Sequence, residues 1–353
     1  MLRPNQSSVP QRVAIFGASG HTGRFAVAEL LHRGITPIAV GRNLAALADA
    51  GFPRNEVILR QASVDDAPSL DRAFEGASAV INCAGPFLET ADAVAAAALR
   101  CGIHYLDVSA EQSSTLETLE NFDSAARTAG VAVVPSMSFY GGFADLLATA
   151  AMGDWEYADT IDVMIGLDSW HPTRGTRITG AKNTAERLAV ADGKLVAVSS
   201  PRSEKDWLFE DPFGHQAMVE VPFSEIVLIS RHLKVTELHT WLNRLALDDI
   251  HNAATPAPKA ADYLGRSLQQ FVVEVVSARD GDTRSIRARG RDIYAFSATL
   301  ICEAAERLLD GRFTTAGALS PGEAFDSSEL LSALTPNHIT LQMASTAQPL
   351  DQF

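Results

Sequence analysis

The chain has 353 residues, 46% hydrophobic and 20% charged, which is enough apolar material for about two globular cores. A net charge of -14 and a pI near 5.1 argue against nucleic acid, whose phosphates that field repels. Cys83, Cys101 and Cys302 are too scattered for a disulfide framework or a zinc set. The polar start with its two prolines is no signal peptide, and no apolar run reads as a membrane span, so a soluble cytoplasmic protein is expected.

Val13 to Phe16 is an unbroken apolar run, as in a strand buried on both faces. A turn with glycine at 17, 20 and 23 follows, then a helical pattern with Phe25, Leu30 and Leu31. Strands are predicted at Thr36 to Val40, Glu56 to Gln61, Ala79 to Cys83, His104 to Val108 and Val131 to Val134. Helices alternate with them: Leu44 to Ala50 behind Asn43 as N-cap, one opened by Pro68, Ala91 to Arg100, and Glu111 to Ala129 stopped by Gly130. That alternation predicts an α/β fold with a doubly wound parallel sheet.

Past residue 150 the pattern changes to half-buried strands at Thr160 to Leu167, Leu195 to Val198, Phe223 to Ile229, Lys234 to His239 and Phe271 to Val276. Asp280-Gly281 turns the last of these into Thr283 to Arg289 as a hairpin. A mostly antiparallel second domain is expected over residues 151–290, inserted between a first domain at 1–150 and a helical segment at 291–353 that returns to it. Arg287, Arg289 and Arg291 share one strand face and read as a charged edge strand guarding against aggregation.

Strand, glycine turn and helix together form a dinucleotide cradle, here spaced G-x-x-G-x-x-G. Gly17 permits the tight turn, Gly20 lets a pyrophosphate approach the backbone, and Gly23 lets helix pack on strand; Ser19, His21 and Thr22 complete the loop. The end of the second strand holds Arg42 and Asn43 instead of the acid that bonds a ribose 2′-hydroxyl, so NADP is predicted over NAD. Asp65 past the third strand, Cys83, Ala84, Gly85 and Pro86 past the fourth, and Ser109 past the fifth lie at the same carboxyl edge and count as cofactor positions.

None of the five tyrosines has lysine four residues on, which excludes the short-chain dehydrogenase pair. No cysteine lies between Cys101 and Cys302, which excludes the mid-chain nucleophile of semialdehyde dehydrogenases and acyl-phosphate reductases. Gly17-Ala18-Ser19-Gly20-His21-Thr22-Gly23, Ile81 to Phe87, and His104 to Glu111 resemble the saccharopine dehydrogenase-like oxidoreductases, most clearly over Val13 to Asp145. The resemblance implies a Rossmann domain binding NADP, an inserted sheet domain that often mediates pairing, here as a homodimer, and redox chemistry at a C–N or similar polar bond. The middle, Asp154 to Arg289, carries no motif that maps to a saccharopine site.

Candidate chemistry sits in two stretches. Tyr140-Gly141-Gly142-Phe143-Ala144-Asp145 offers Tyr140 as a proton donor and Asp145 to hold an amine or orient a base. Trp170 to Thr176 offers His171 as acid or base and Arg174 as a bidentate grip on a carboxylate. Glu111 reads as favouring a helix start. No His, Asp and Glu spacing reads as a metal site. The resulting expectation is hydride transfer with a small carboxylated substrate. The alternatives are a non-catalytic NADP-holding redox sensor and an enoyl reductase acting on a carrier-bound chain.

Overall fold

The computed structural model describes residues 11–198, 201–313 and 315–346. The first part alternates strand and helix: β1 (Arg12–Phe16), α1 (His21–His32), β2 (Thr36–Gly41), α2 (Leu44–Ala48), β3 (Ile58–Gln61), α3 (Ala67–Phe74), β4 (Ala79–Asn82), α4 (Phe87–Arg100), β5 (His104–Asp107), α5 (Gln112–Ala129) and β6 (Ala132–Val134). An irregular turn at Phe139–Phe143 leads into α6 (Ala144–Met152). The second part holds β7 (Ala158–Leu167), α7 (Arg174–Lys182), β8 (Leu188–Ala191), β9 (Lys194–Ala197), β10 (Glu204–Leu208), β11 (His215–Glu220), α8 (Glu225–His232), β12 (Val235–Asn243), α9 (Arg244–His251), β13 (Gln270–Arg279) and β14 (Asp282–Arg291). The chain closes with α10 (Ile293–Leu309), β15 (Gly317–Ala318), α11 (Pro321–Ala324), α12 (Ser327–Leu334) and β16 (Ile339–Thr346).

Sheet one runs β15-β6-β5-β4-β1-β2-β3 with every pair parallel. Val13 to Phe16, Pro37 to Gly41 and Ala79 to Asn82 are all buried, as a sheet covered on both faces requires. The order reverses between β1 and β4, so a crevice opens beyond their carboxyl ends. Asn43 caps α2 by accepting from Ala46 N–H at 3.1 Å. Gly130 ends α5 at φ 70°.

Sheet two runs β10-β11-β12-β7-β13-β14-β16, with β8 paired to β12 and β9 to β8; β12 and β7 are its parallel pair and the others are antiparallel. Helix α10 returns to α1, where the Cys302 thiol meets the Ala26 carbonyl at 3.6 Å and Arg33 pairs with Glu29, Glu303 and Glu306. β15 then extends sheet one and β16 extends sheet two.

Two sequence expectations change. Phe223 to Ile229 is a turn and the helix α8, not a strand: Glu225 to Ile229 is buried all round, and a short continuous apolar run fits either element. The arginine stripe does not lie on an edge strand, because β14 is flanked by β13 and β16. Its members meet internal acids instead: Arg287 pairs with Glu210 and Glu274, Arg289 with Glu210 at 3.2 Å, and Arg291 with Asp262 at 3.4 Å.

Candidate functional site

The glycine turn is built by its lack of side chains. Gly17 has φ 85°, donates to the Val40 carbonyl at 2.9 Å, and a Cβ there would stand 2.9 Å from Ala84 Cβ. A Cβ on Gly23 would overlap the Gly17 carbonyl oxygen and lie 2.8 Å from Ala18 Cα. Gly20 is exposed and N-caps α1 without any side-chain acceptor. The first N–H groups of α1, from His21, Thr22 and Gly23, are therefore uncapped by side chains, as an anion site at a helix start requires. Ser19 sits half-buried in the turn, and its carbonyl accepts from Arg24 at 3.0 Å. Thr22 is half-buried as well.

The His21 ring meets Phe25 at 5.3 Å and Tyr294 at 5.2 Å, both edge-on. Burial lowers its pKa, so the imidazole stays neutral near neutral pH. Arg42 is exposed beyond β2 and, among the described residues, its side chain forms no hydrogen bond or ion pair; its carbonyl accepts from Gln61 at 2.9 Å. Asn43 spends its side chain on the α2 cap. Asp65 is exposed past β3 beside Ser63.

The next two turns at this edge are braced from below. Buried Asn82 accepts from Ala84 N–H at 3.0 Å, and Thr90 donates to the Ala84 carbonyl at 2.6 Å, fixing Ala84, Gly85 and Pro86. Burial pushes the Cys83 thiol up to about 12, which leaves it a neutral packing group. Asp107 accepts from the backbone of Ser109 and Ser136 at 2.8 Å each. Buried Glu111 stands at the N-cap position of α5, as read, while its carboxylate accepts from Phe87 N–H at 2.8 Å and Leu88 N–H at 3.2 Å and so also caps α4.

The roof comes from the second part. α7 rests on the Gly85 turn, where an added Cβ would meet Thr179 Oγ1 at 2.7 Å, and Lys182 pairs with Glu89 at 2.6 Å. Tyr294 ties the roof down: its hydroxyl receives Trp170 Nε1–H at 3.2 Å and Thr173 N–H at 3.3 Å, and lies 3.0 Å from Thr176 Oγ1 and 3.4 Å from the His171 carbonyl. His171 is half-buried, and Arg174 is exposed at the start of α7.

Tyr140 stacks on Trp170 at 4.9 Å and meets Phe223 at 4.3 Å; its hydroxyl is buried without a partner, and burial holds its pKa well above the usual phenol value. The structure thus gathers the glycine turn, the Ala84 to Pro86 turn, Ser109, Tyr140 and the Trp170 to Arg174 loop. It does not bring Asp145 to them. That carboxylate is wholly buried, accepts from His232 Nε2–H and Gly322 N–H at 2.7 Å each, and latches α6 to the C-terminal segment.

Tyr294, Phe223 and Arg187 escaped the sequence reading. Tyr294 carried one signal, a tyrosine off the Ile293, Phe296, Leu300 stripe of α10; Phe223 and Arg187 carried none, since distant segments bring them in. A cleft of about 770 Å³ lies apart from this edge, among Phe25, Leu268, Arg291, Phe296 and Ile339.

Strand order, glycine cradle and uncapped helix start define a dinucleotide-binding protein of the doubly wound class. Residues 13–134 match the family model of the saccharopine dehydrogenase NADP binding domain, which gives NADP as the cofactor. A probable mitochondrial saccharopine dehydrogenase-like oxidoreductase of Arabidopsis thaliana is 29% identical over 154 residues, covering 39% of this chain and 34% of the relative. A saccharopine dehydrogenase-like oxidoreductase of Homo sapiens is 28% identical over 156 residues, covering 39% of this chain and 36% of the relative. The matches thus span about a third of these relatives' length. The fold is similar to that of an apo saccharopine dehydrogenase (L-Glu forming) from Saccharomyces cerevisiae, with a TM-score of 0.69, 13% identity, and coverage of 96% of this chain and 100% of that one. Among the described residues no helix is long and apolar enough to cross a membrane.

Proposed function

We propose that the protein is an NADP-dependent oxidoreductase that moves a hydride to or from a small carboxylated substrate, with a C–N bond, imine or amine, as the reacting group. The observation that supports this reading is the crevice itself: a helix start at the glycine turn with no side-chain cap, an Arg42 side chain without a partner among the described residues, and a roof resting on the Ala84 to Pro86 turn. Bound NADP would supply or accept the hydride.

The α1 N–H groups would hold the diphosphate and Arg42 the 2′-phosphate, by a bidentate charge-assisted pair. The Ala84 to Pro86 turn, fixed by Asn82 and Thr90, would set the floor beside the nicotinamide. Tyr140, the buried phenol of the roof, is the candidate proton donor, and His171 follows Trp170, on which Tyr140 stacks; Arg174, without an ion pair among the described residues, stands exposed at the start of α7 for an incoming carboxylate. The three-part division at 150 and 290, with sheet two as the substrate and pairing platform of a homodimer, completes the proposal.

The test is NADPH oxidation across carbonyl, imine and enoyl panels, with Arg174→Ala alongside. An imine or carbonyl carboxylate turned over, and a raised KM in Arg174→Ala, agree with the proposal. Bound NADPH that no panel member oxidises would instead mark a redox-sensing module, and enoyl turnover alone an enoyl reductase.

A further inference from the structure

A chain of aromatic contacts runs from the glycine turn across the roof. His21 meets Tyr294 at 5.2 Å; Tyr294 receives the Trp170 indole N–H at 3.2 Å; Trp170 stacks on Tyr140 at 4.9 Å; Tyr140 meets Phe223 at 4.3 Å. The chain ends on a cation, because the Arg187 guanidinium lies 5.1 Å from the Phe223 ring centre. Nothing in the proposed cofactor reading uses that cation.

Arg187 differs from three arginines enclosed among acids. Arg33 pairs with Glu29, Glu303 and Glu306, Arg287 with Glu210 and Glu274, and Arg307 with Glu303 and Glu329. Arg187 is half-buried, and among the described residues it donates only to the Pro222 carbonyl, at 2.5 Å, and forms no ion pair. Enclosed guanidinium without a counter-ion is unfavourable unless an anion visits it. Burial first, and then the neighbouring Arg202, weaken its hold on the proton; the nearby Glu225 charge opposes them, and burial pushes that carboxyl towards its own neutral form. It is also held in place: Leu188 and Gln112 exchange two hydrogen bonds of 2.8 Å, fixing the adjoining backbone to the start of α5.

A second observation points to a ligand. The Tyr140 hydroxyl and Glu225 Oε2 are both buried and have no hydrogen-bond partner among the described residues, and Phe223 and Ser224 join them: Phe223 N–H donates to Glu225 Oε1 at 2.8 Å and Ser224 Oγ–H to the Tyr140 carbonyl at 2.7 Å. Buried orphans of this kind are normally satisfied. Two unfilled polar atoms, an unpaired guanidinium and flat rings therefore converge on Phe223.

We propose that Arg187 is the fixed anion anchor of a substrate subsite built on Phe223, Tyr140 and Trp170, taking the carboxylate of a ligand with a flat apolar body. This rests on the reading of the crevice as a substrate site, and it adds an enclosed anchor, Arg187, to the exposed Arg174 that meets an incoming carboxylate.

The test is calorimetric titration of the full-length protein, with and without NADP+, using benzoate, and benzamide as the uncharged isostere. Benzoate should bind, benzamide on the order of 10- to 100-fold more weakly, the span of one charge-assisted pair. Arg187→Met should weaken benzoate by a similar factor and leave benzamide and NADP+ unchanged; Arg187→Lys should fall between. No binding of benzoate, equal binding of the two probes, or undiminished benzoate affinity in Arg187→Met would overturn the proposal; the probe comparison stands even if a variant misfolds. NADP+ affinity is read in the same titrations, so a failed cofactor reading appears as lost NADP+ heat and a failed anchor as lost probe discrimination.

Discussion

The glycine turn and the roof above it face one crevice but are made differently. The turn is seven consecutive residues, Gly17 to Gly23, whose shape follows from missing Cβ atoms and one left-handed φ. The roof joins Tyr140, Trp170, Thr176, Phe223 and Tyr294, drawn from four separate stretches and held by one phenol hydroxyl and ring contacts. A local device is hard to damage except at its own residues. An assembled one fails when its hub fails. The comparison therefore separates cofactor affinity, set by the turn, from turnover, set by the roof.

Gly17→Val should separate them most strongly. A side chain at φ 85° beside Ala84 distorts the cradle, and NADPH affinity measured by fluorescence should fall by about two orders of magnitude. Arg42→Asp removes the partner assigned to the 2′-phosphate and adds repulsion; NADPH affinity should fall about 30- to 100-fold and NADH affinity should be kept or gained. Tyr294→Phe acts on the roof alone: kcat/KM should fall about tenfold with NADPH affinity unchanged. Equal losses in both quantities would erase the distinction.

Smaller effects test the supports. Glu111→Ala strips two α4 N–H groups of their acceptor, a loss of about 2–3 kcal/mol visible as a lower melting temperature. The Asp145–His232 latch should give stability a pH dependence. Burial opposes charge on His232, but its hydrogen bond to Asp145 and the nearby negative charge together raise its pKa above 6.5. The stabilisation is then complete below 6.5 and lost as pH climbs through the raised value. Melting temperature should fall modestly from about pH 6 to about pH 9, and Asp145→Asn should flatten that slope.

What was legible in the sequence follows the same division. Buried runs such as Val13 to Phe16 and caps such as Asn43 and Gly130 express themselves within a few residues, so sheet one could be read directly. Phe223 to Ile229 could not, because burial on every side erases the periodicity that separates helix from strand. Asp145 looked catalytic beside two glycines, and only the fold brings His232 and Gly322 to its oxygens. Arg187 looked like any surface arginine, and its isolation is visible only once the acids that might have paired with it are seen elsewhere.

The most direct measurement is a paired titration of purified protein with NADPH and NADH, followed by nicotinamide fluorescence. The account predicts saturable binding of both, with NADPH tighter by about tenfold or more, the value of a charged 2′-phosphate contact. Absence of binding, or tighter NADH, would contradict it.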